Sequence, residues 1–136
     1  QLDDAIANHK SSFKPIFAMM RHAAVYTNDS DKQKALNSIR TVLGQFENLF
    51  KNLGEVENGF TKQIPLNELE GREQYDPDML TKNLLFGTPE EIIEKLKLYQ
   101  NLGVDEFIYY ASMGLGHKEQ KKSLKLFIEE VMPEFA

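Results

Sequence analysis

At 136 residues, with 41% hydrophobic and 27% charged side chains, the chain is long enough for one packed domain and has the composition of a globular protein rather than a disordered or fibrous one. A net charge of -5 argues against nucleic acid or an anionic membrane surface as partner, since both are met by basic faces, and no apolar run nears the ~20 residues of a membrane span. The absence of cysteine removes disulfides, thiolate metal sites and a cysteine nucleophile, and accords with a cytoplasmic location. The chain starts at Gln1, with no initiator methionine and no charged-then-apolar leader, so upstream residues are expected to have been removed.

Leu2 to Phe13 places Leu2, Ile6 and Phe13 on one side and is read as the tail of a helix. The long apolar run from Pro15 to Tyr26, entered by a proline where no ladder donor is lost, predicts a buried strand. Asn28 then offers a capping oxygen and Asp31 a carboxylate for the positive end of a helix. Behind them Ala35, Leu36, Ile39, Val42, Leu43, Phe46, Leu49, Phe50 and Leu53 recur at helical steps and mark one broad buried face. From 54 to 78 the periodicity dissolves into Gly, Asn, Pro and Glu, which predicts a variable connection or a small subsidiary element.

Order resumes at Met79 with a turn of helix and a short strand at Asn83 to Phe86. The turn Gly87-Thr88-Pro89-Glu90-Glu91 follows: Thr88 is the cap, Pro89 the first helical residue, Glu91 the return half of a capping box. A glycine before a helix start can hold a phosphate, but two carboxylates at the positive helix end repel an anion, so the turn is read as scaffold. Ile92, Ile93, Leu96, Tyr99 and Leu102 form the next stripe, which Gly103 closes in the left-handed conformation. Phe107 to Tyr110 is a continuous apolar run of the kind buried on both faces of a parallel sheet. A last helix carries Leu124, Phe127, Ile128 and Val131 and ends at Pro133. Strand and helix alternate, so the expected fold is α/β with about three parallel strands and flanking helices, in a single unit over 1–136.

In such sheets ligands collect at the carboxyl ends of the strands, which directs attention to Ser112, Met113, Gly114, Gly116 and His117, between the last strand and the last helix. Two glycines permit close backbone approach there, and His117 and Lys118 supply charge; equally, the glycines can shape a tight connection and His117 can be a solvated first-turn residue. Arg21 and His22 interrupt the first strand, so at least one points to a polar interior, a partner or solvent. Lys118, Lys121, Lys122 and Lys125 form a solvated helix face. Histidines at 9, 22 and 117 show no metal-ligand spacing, and no catalytic set is visible.

The segments Phe86 to Leu96, Leu102 to Phe107 and Ser123 to Phe135, preceded by Arg21 to Asp31, resemble in order and spacing the carboxyl-terminal part of the luciferase-like flavin-dependent monooxygenase family. Asn28-Asp29 departs mildly from a Thr-Asp pair common there. The resemblance implies a C-terminal portion of a (β/α)8 TIM barrel whose parent enzyme uses reduced FMN, or in some relatives a deazaflavin, to oxidise a small organic substrate. It implies that the flavin-phosphate contacts and catalytic histidine come from earlier strands, so the isolated chain is inactive and binds no cofactor. Only Ser112, Met113, Gly114, Gly116 and His117 are placed to border the flavin or substrate mouth. The alternative is a stand-alone α/β module without chemistry; in either case open sheet edges predict a homo-oligomer. A small-molecule regulatory domain using the glycine loop is a third possibility.

Overall fold

The computed structural model describes residues 15–52, 56–61, 65–111 and 114–136, with Asp4, Ala7 and Asn8. The expected helix tail at Leu2 to Phe13 otherwise lies outside the described residues. The elements are β1 (Ala18–Val25), α1 (Asp29–Asn52), a hairpin of β2 (Val56–Glu57) and β3 (Phe60–Thr61), 3-10 turns at Leu66–Leu69 and Glu73–Tyr75, α2 (Pro77–Asn83), β4 (Leu85–Gly87), α3 (Pro89–Asn101), β5 (Glu106–Ala111) and α4 (His117–Leu126). The last helix widens into a π turn at Phe127–Val131 and ends in a 3-10 turn at Met132–Phe135. Among the described residues no helix is long and apolar enough to cross a membrane.

Successive side chains of a strand point to opposite faces, and β1 feeds two cores this way. Ala23 and Val25 meet Leu85, Ile92, Leu96, Phe127 and Val131 on one face. Ala24 and Tyr26 meet Ala35, Leu36, Ile39, Leu80 and Phe86 on the other. The unbroken apolar run at the end of β1 follows from this double burial. Both β4 and β5 pair with β1 in parallel, in the order β4-β1-β5, with Ala24 opposite Phe86 and His22 opposite Tyr110.

The parallel strands and flanking helices are as expected, but the neighbours are not those of three successive strands in a complete barrel, where consecutive strands adjoin and all helices lie outside. Here the step from β1 to β4 runs one way across the sheet and the step from β4 to β5 runs back past β1. Right-handed crossovers in opposite directions lay their helices on opposite faces, and α1 with α2 indeed packs on the Phe86 face, α3 with the π turn on the Leu85 face. Three strands do not close on themselves, so both faces need cover, and the reversal supplies it.

Cover is incomplete near the start of β1. Met20 and Ile108, Cα partners on the Phe86 side of the sheet, are 52% and 48% exposed. His22 is half-buried beside Tyr110, the rings 4.6 Å apart, and burial lowers its pKa. Arg21 is exposed and turns back to donate to the Met20 carbonyl at 3.0 Å. Two further departures concern helix faces. Leu124 and Ile128 are exposed, while Ser123, Phe127 and Val131, at four-residue steps, are buried. Leu102 and Phe46, expected in buried stripes, are also exposed.

Within the connection, residues 69–75 are pinned to α1. Leu69 packs against Gly44, where a Cβ would lie 3.0 Å from its Cδ1, and Glu47 accepts from the Tyr75 hydroxyl and pairs with Arg72 at 3.4 Å. Burial, reinforced by Glu47, pushes the Tyr75 phenol up to about 12; burial, reinforced by Glu91, does the same to Tyr26. Both phenols are held neutral by the fold, so their contribution to stability is whole below the unfolded value of 10.0 and is lost as pH climbs toward about 12. Urea midpoints measured across that window should fall, and Tyr75→Phe should make the fall shallower; an unchanged slope in the variant would contradict the assignment to Tyr75.

Candidate functional site

β1 and β5 lie side by side, yet the helices that follow them leave toward opposite faces, so their connections part at the carboxyl end of the sheet. This is the place where open parallel sheets bind ligands. On one side α1 starts under Asn28, whose Oδ1 accepts from the Asp31 amide at 3.0 Å and whose Nδ2 donates to the Asp31 carboxylate at 2.9 Å. On the other side α4 starts at Gly116 with no side-chain cap bond to the helix. Between them Lys122 meets Asp31 at 2.5 Å, and Lys34 bridges Asp31 at 3.8 Å and Glu119 at 3.9 Å. The hydrogen bonds from Lys122 and Asn28 hold the Asp31 carboxyl below the usual carboxylate range. These charges roof a crevice of about 20 Å³ lined by Val25, Tyr26, Leu115 and Ser123, room for about one water.

Ser123 explains how the crevice is held together. β5 ends with Ala111 opposite Ala23, so the Val25 amide on that side of β1 has no strand partner. Ser123, buried on α4, accepts it at 2.7 Å and shares a second hydrogen bond of 2.8 Å with the Tyr109 hydroxyl. One hydroxyl thus joins β1, β5 and α4. Ser123→Ala should cost about 1–2 kcal/mol, the usual penalty for an orphaned buried amide, read from urea unfolding; a loss within error would show that water replaces the hydroxyl.

Of the residues singled out from sequence, Ser112 and Met113 lie outside the described residues. Gly114, Gly116 and His117 are not among the residues lining the crevice, although Leu115 between them is. Gly114 has φ 87° and lies against α1, where a Cβ would come within 3.0 Å of the Ser38 carbonyl. At Gly116 a Cβ would sit 2.6 Å from Glu119 Oε2, so the carboxylate of the first turn folds back over the start of α4. His117 is exposed. Lys122 and Ser123, which complete the site, were not separable from a polar helix face in the sequence.

A flavin phosphate seeks free amides at a helix start. Here both obvious starts are filled from within: Glu119 covers that of α4, and at α3 Glu91 accepts from the Thr88 amide at 2.8 Å while Thr88 accepts from the Glu91 amide at 3.4 Å. At about 20 Å³, the crevice at the strand ends does not fit a flavin. Among them there is also no group of three or more His, Asp or Glu side chains that could hold a metal.

The flavin-dependent trigonelline monooxygenase, oxygenase component, of Acinetobacter baylyi (strain ATCC 33305 / BD413 / ADP1) is 31% identical to this chain over 123 residues, covering 90% of the chain and 34% of that protein. The chain is thus similar in sequence to part of a flavin-dependent monooxygenase. It spans about a third of the length of the curated relative that it matches. No family model and no solved structure matches it.

Proposed function

We propose that these 136 residues serve as part of a longer flavin-dependent monooxygenase that oxidises a small organic substrate. The observation that carries this reading is the 31% identity to a flavin-dependent monooxygenase across nine tenths of the chain. In the proposed parent one oxygen atom of O2 enters the substrate and the other leaves as water, the two electrons and two protons coming from reduced FMN. The strand-end crevice is too small for that flavin, so in this reading it sits on strands outside the described residues, with Ser112, Met113, Gly114, Gly116 and His117 bordering its mouth. The relative is named as an oxygenase component, and a separate reductase supplying the reduced flavin is proposed here too.

The parent fold proposed is a (β/α)8 barrel in which β4 takes its place between β1 and β5. Supporting this are the parallel pairing of all three strands and the exposed apolar residues Met20, Ile108 and Tyr110 on a sheet face that further strands would cover. The test is a longer gene product that includes residues upstream of Gln1, assayed for substrate-dependent O2 uptake with chemically reduced FMN, beside the 136-residue chain alone. Uptake by the longer protein only is expected. Uptake by neither, or tight flavin binding by the short chain, would overturn the proposal. A second reading, a self-associating module without chemistry, rests on the same exposed face; it predicts a concentration-dependent dimer of the short chain and no flavin binding by the longer one.

A further inference from the structure

The last helical segment spends Ser123, Phe127 and Val131 on the core and carries a second apolar stripe beside them. One position further round the helix, about 100°, Leu124, Ile128 and Met132 repeat at the same four-residue step and are 41%, 50% and 51% exposed. None of the three belongs to either core cluster. Single apolar side chains in water are ordinary, but three in line along one helix make a continuous surface of the kind that marks an interaction site. At its far end Met132 borders a cavity of about 350 Å³ shared with Tyr99, Phe107 and Phe135, so the apolar surface continues past the helix itself.

Charge is segregated along the same segment. Residues 118–125 hold Lys118, Lys121, Lys122 and Lys125 against Glu119, whereas residues 127–136 hold Glu129, Glu130 and Glu134 and no basic side chain. Lys122 is committed to Asp31 at 2.5 Å. Lys121, Lys125 and Glu129, again at four-residue steps, form the row beside the stripe, and Lys125 lies 3.8 Å from Glu129 with both side chains open to solvent. A second helix of this charge pattern laid parallel would set lysine on lysine and glutamate on glutamate. Laid antiparallel, it sets the basic half against the acidic half at both ends. The segment is therefore complementary to itself about a twofold axis, the closed arrangement in which one patch serves both partners.

We propose that the stripe of Leu124, Ile128 and Met132 is a homodimer surface, on which a second copy of this chain lays its own last helix antiparallel with the twofold axis at Ile128. Ile128 then meets the partner's Ile128, Leu124 meets the partner's Met132, and Lys125 stands beside the partner's Glu129. The pairing uses neither the sheet face at Met20 and Ile108 nor the crevice at the strand ends, and it does not depend on the monooxygenase reading.

The test is sedimentation equilibrium of the 136-residue chain at concentrations up to about 1 mM. One helix pair is a small interface, so a reversible dimer with a Kd on the order of 100 μM is expected. Ile128→Lys brings two ammonium groups together on the axis and should weaken association at least about a hundredfold. Lys125→Glu and Glu129→Lys should each weaken it about tenfold, whereas an equimolar mixture of these two variants should pair again, because each then carries the sign that the other lacks. Met20→Lys, on the sheet face, should leave the dimer unchanged. Urea midpoints of all four variants establish that the fold is retained. A chain that stays monomeric at about 1 mM, a dimer that survives Ile128→Lys, one that is lost in Met20→Lys, or a mixture that pairs no better than either charge variant alone would each overturn the proposal.

Discussion

Phe86→Ala should remove about 3–5 kcal/mol of stability, the range for deleting an aromatic side chain from a packed core. Phe86 is fully buried in β4 and belongs to the cluster that holds Tyr26, Leu36, Ile39 and Leu80, so it joins the short edge strand to both helices on that face of the sheet. No backbone rearrangement of three residues, Leu85–Gly87, can refill the space from inside the strand. Since domains are stable by only about 5–15 kcal/mol, the variant should be unfolded or nearly so at 37 °C. Phe86→Leu, which keeps most of the volume, should lose under about 1.5 kcal/mol. The measurement is urea unfolding of Phe86→Ala, Leu36→Ala and the double variant. Because α1 and β4 share this cluster, the losses should depart from additivity by about 0.5 kcal/mol or more; strict additivity would show that α1 does not pack on β4.

The features that were legible in the sequence are those set by neighbours along the chain. Asn28 caps α1, Thr88 and Glu91 close a capping box, and Gly103 stands at φ 89° after α3, each where residue type and spacing placed it. The buried end of β1 was visible as an apolar run, whereas β5, read as buried on both faces, exposes Ile108 and Tyr110 on one of them. What the runs do not encode is adjacency, because a period of two tells which face a side chain takes and nothing about which strand lies beside it. Hence three parallel strands were expected and found, while the placement of β1 between β4 and β5 was not foreseeable. Leu124 and Ile128 misled for a different reason: the buried face of that helix runs through Ser123, Phe127 and Val131, and its polar member Ser123 hid the stripe.

One signal was present and passed over. Val56-Glu57-Asn58-Gly59-Phe60-Thr61 carries Asn-Gly between two short extended pairs, the strongest local sign of a tight hairpin. Asn58 and Gly59 both adopt positive φ, 51° and 82°, and β2 pairs antiparallel with β3. At the candidate site the loop after β5 was singled out by the rule that ligands gather at strand ends, whereas Ser123 was not singled out. Its role depends on β5 stopping two residues short of the end of β1, which only the register reveals.

Lys95→Met should cost about 3 kcal/mol and convert a monomer-capable edge into a sticky one. The Gly87 carbonyl accepts from the Tyr26 amide, so in β4 the alternate carbonyls of Leu84 and Phe86 point away from β1, along the open edge of the sheet. Lys95, reaching back from α3, donates to both, at 3.2 and 2.8 Å, and also to the Thr81 carbonyl in the last turn of α2. Burial lowers its pKa, a tendency that Glu91 opposes. The ammonium therefore performs two tasks: it satisfies carbonyls that a missing strand would have satisfied, and it bars a foreign strand from that edge, since lysine is among the residues that guard exposed edges. Methionine keeps the length and the apolar stem but supplies no donor, leaving two or three carbonyls at about 1–3 kcal/mol each if buried, less where water reaches them. Lys95→Arg should retain most of the stability. Urea unfolding reads the first effect and sedimentation velocity the second; a Lys95→Met chain that stays as stable and as dispersed as the parent sequence would show that the edge is protected by something other than this amine. If β4 is inserted between two strands in a longer protein, the same substitution made there should cost markedly less, because neighbouring amides then take over the carbonyls that Lys95 serves in the shorter chain.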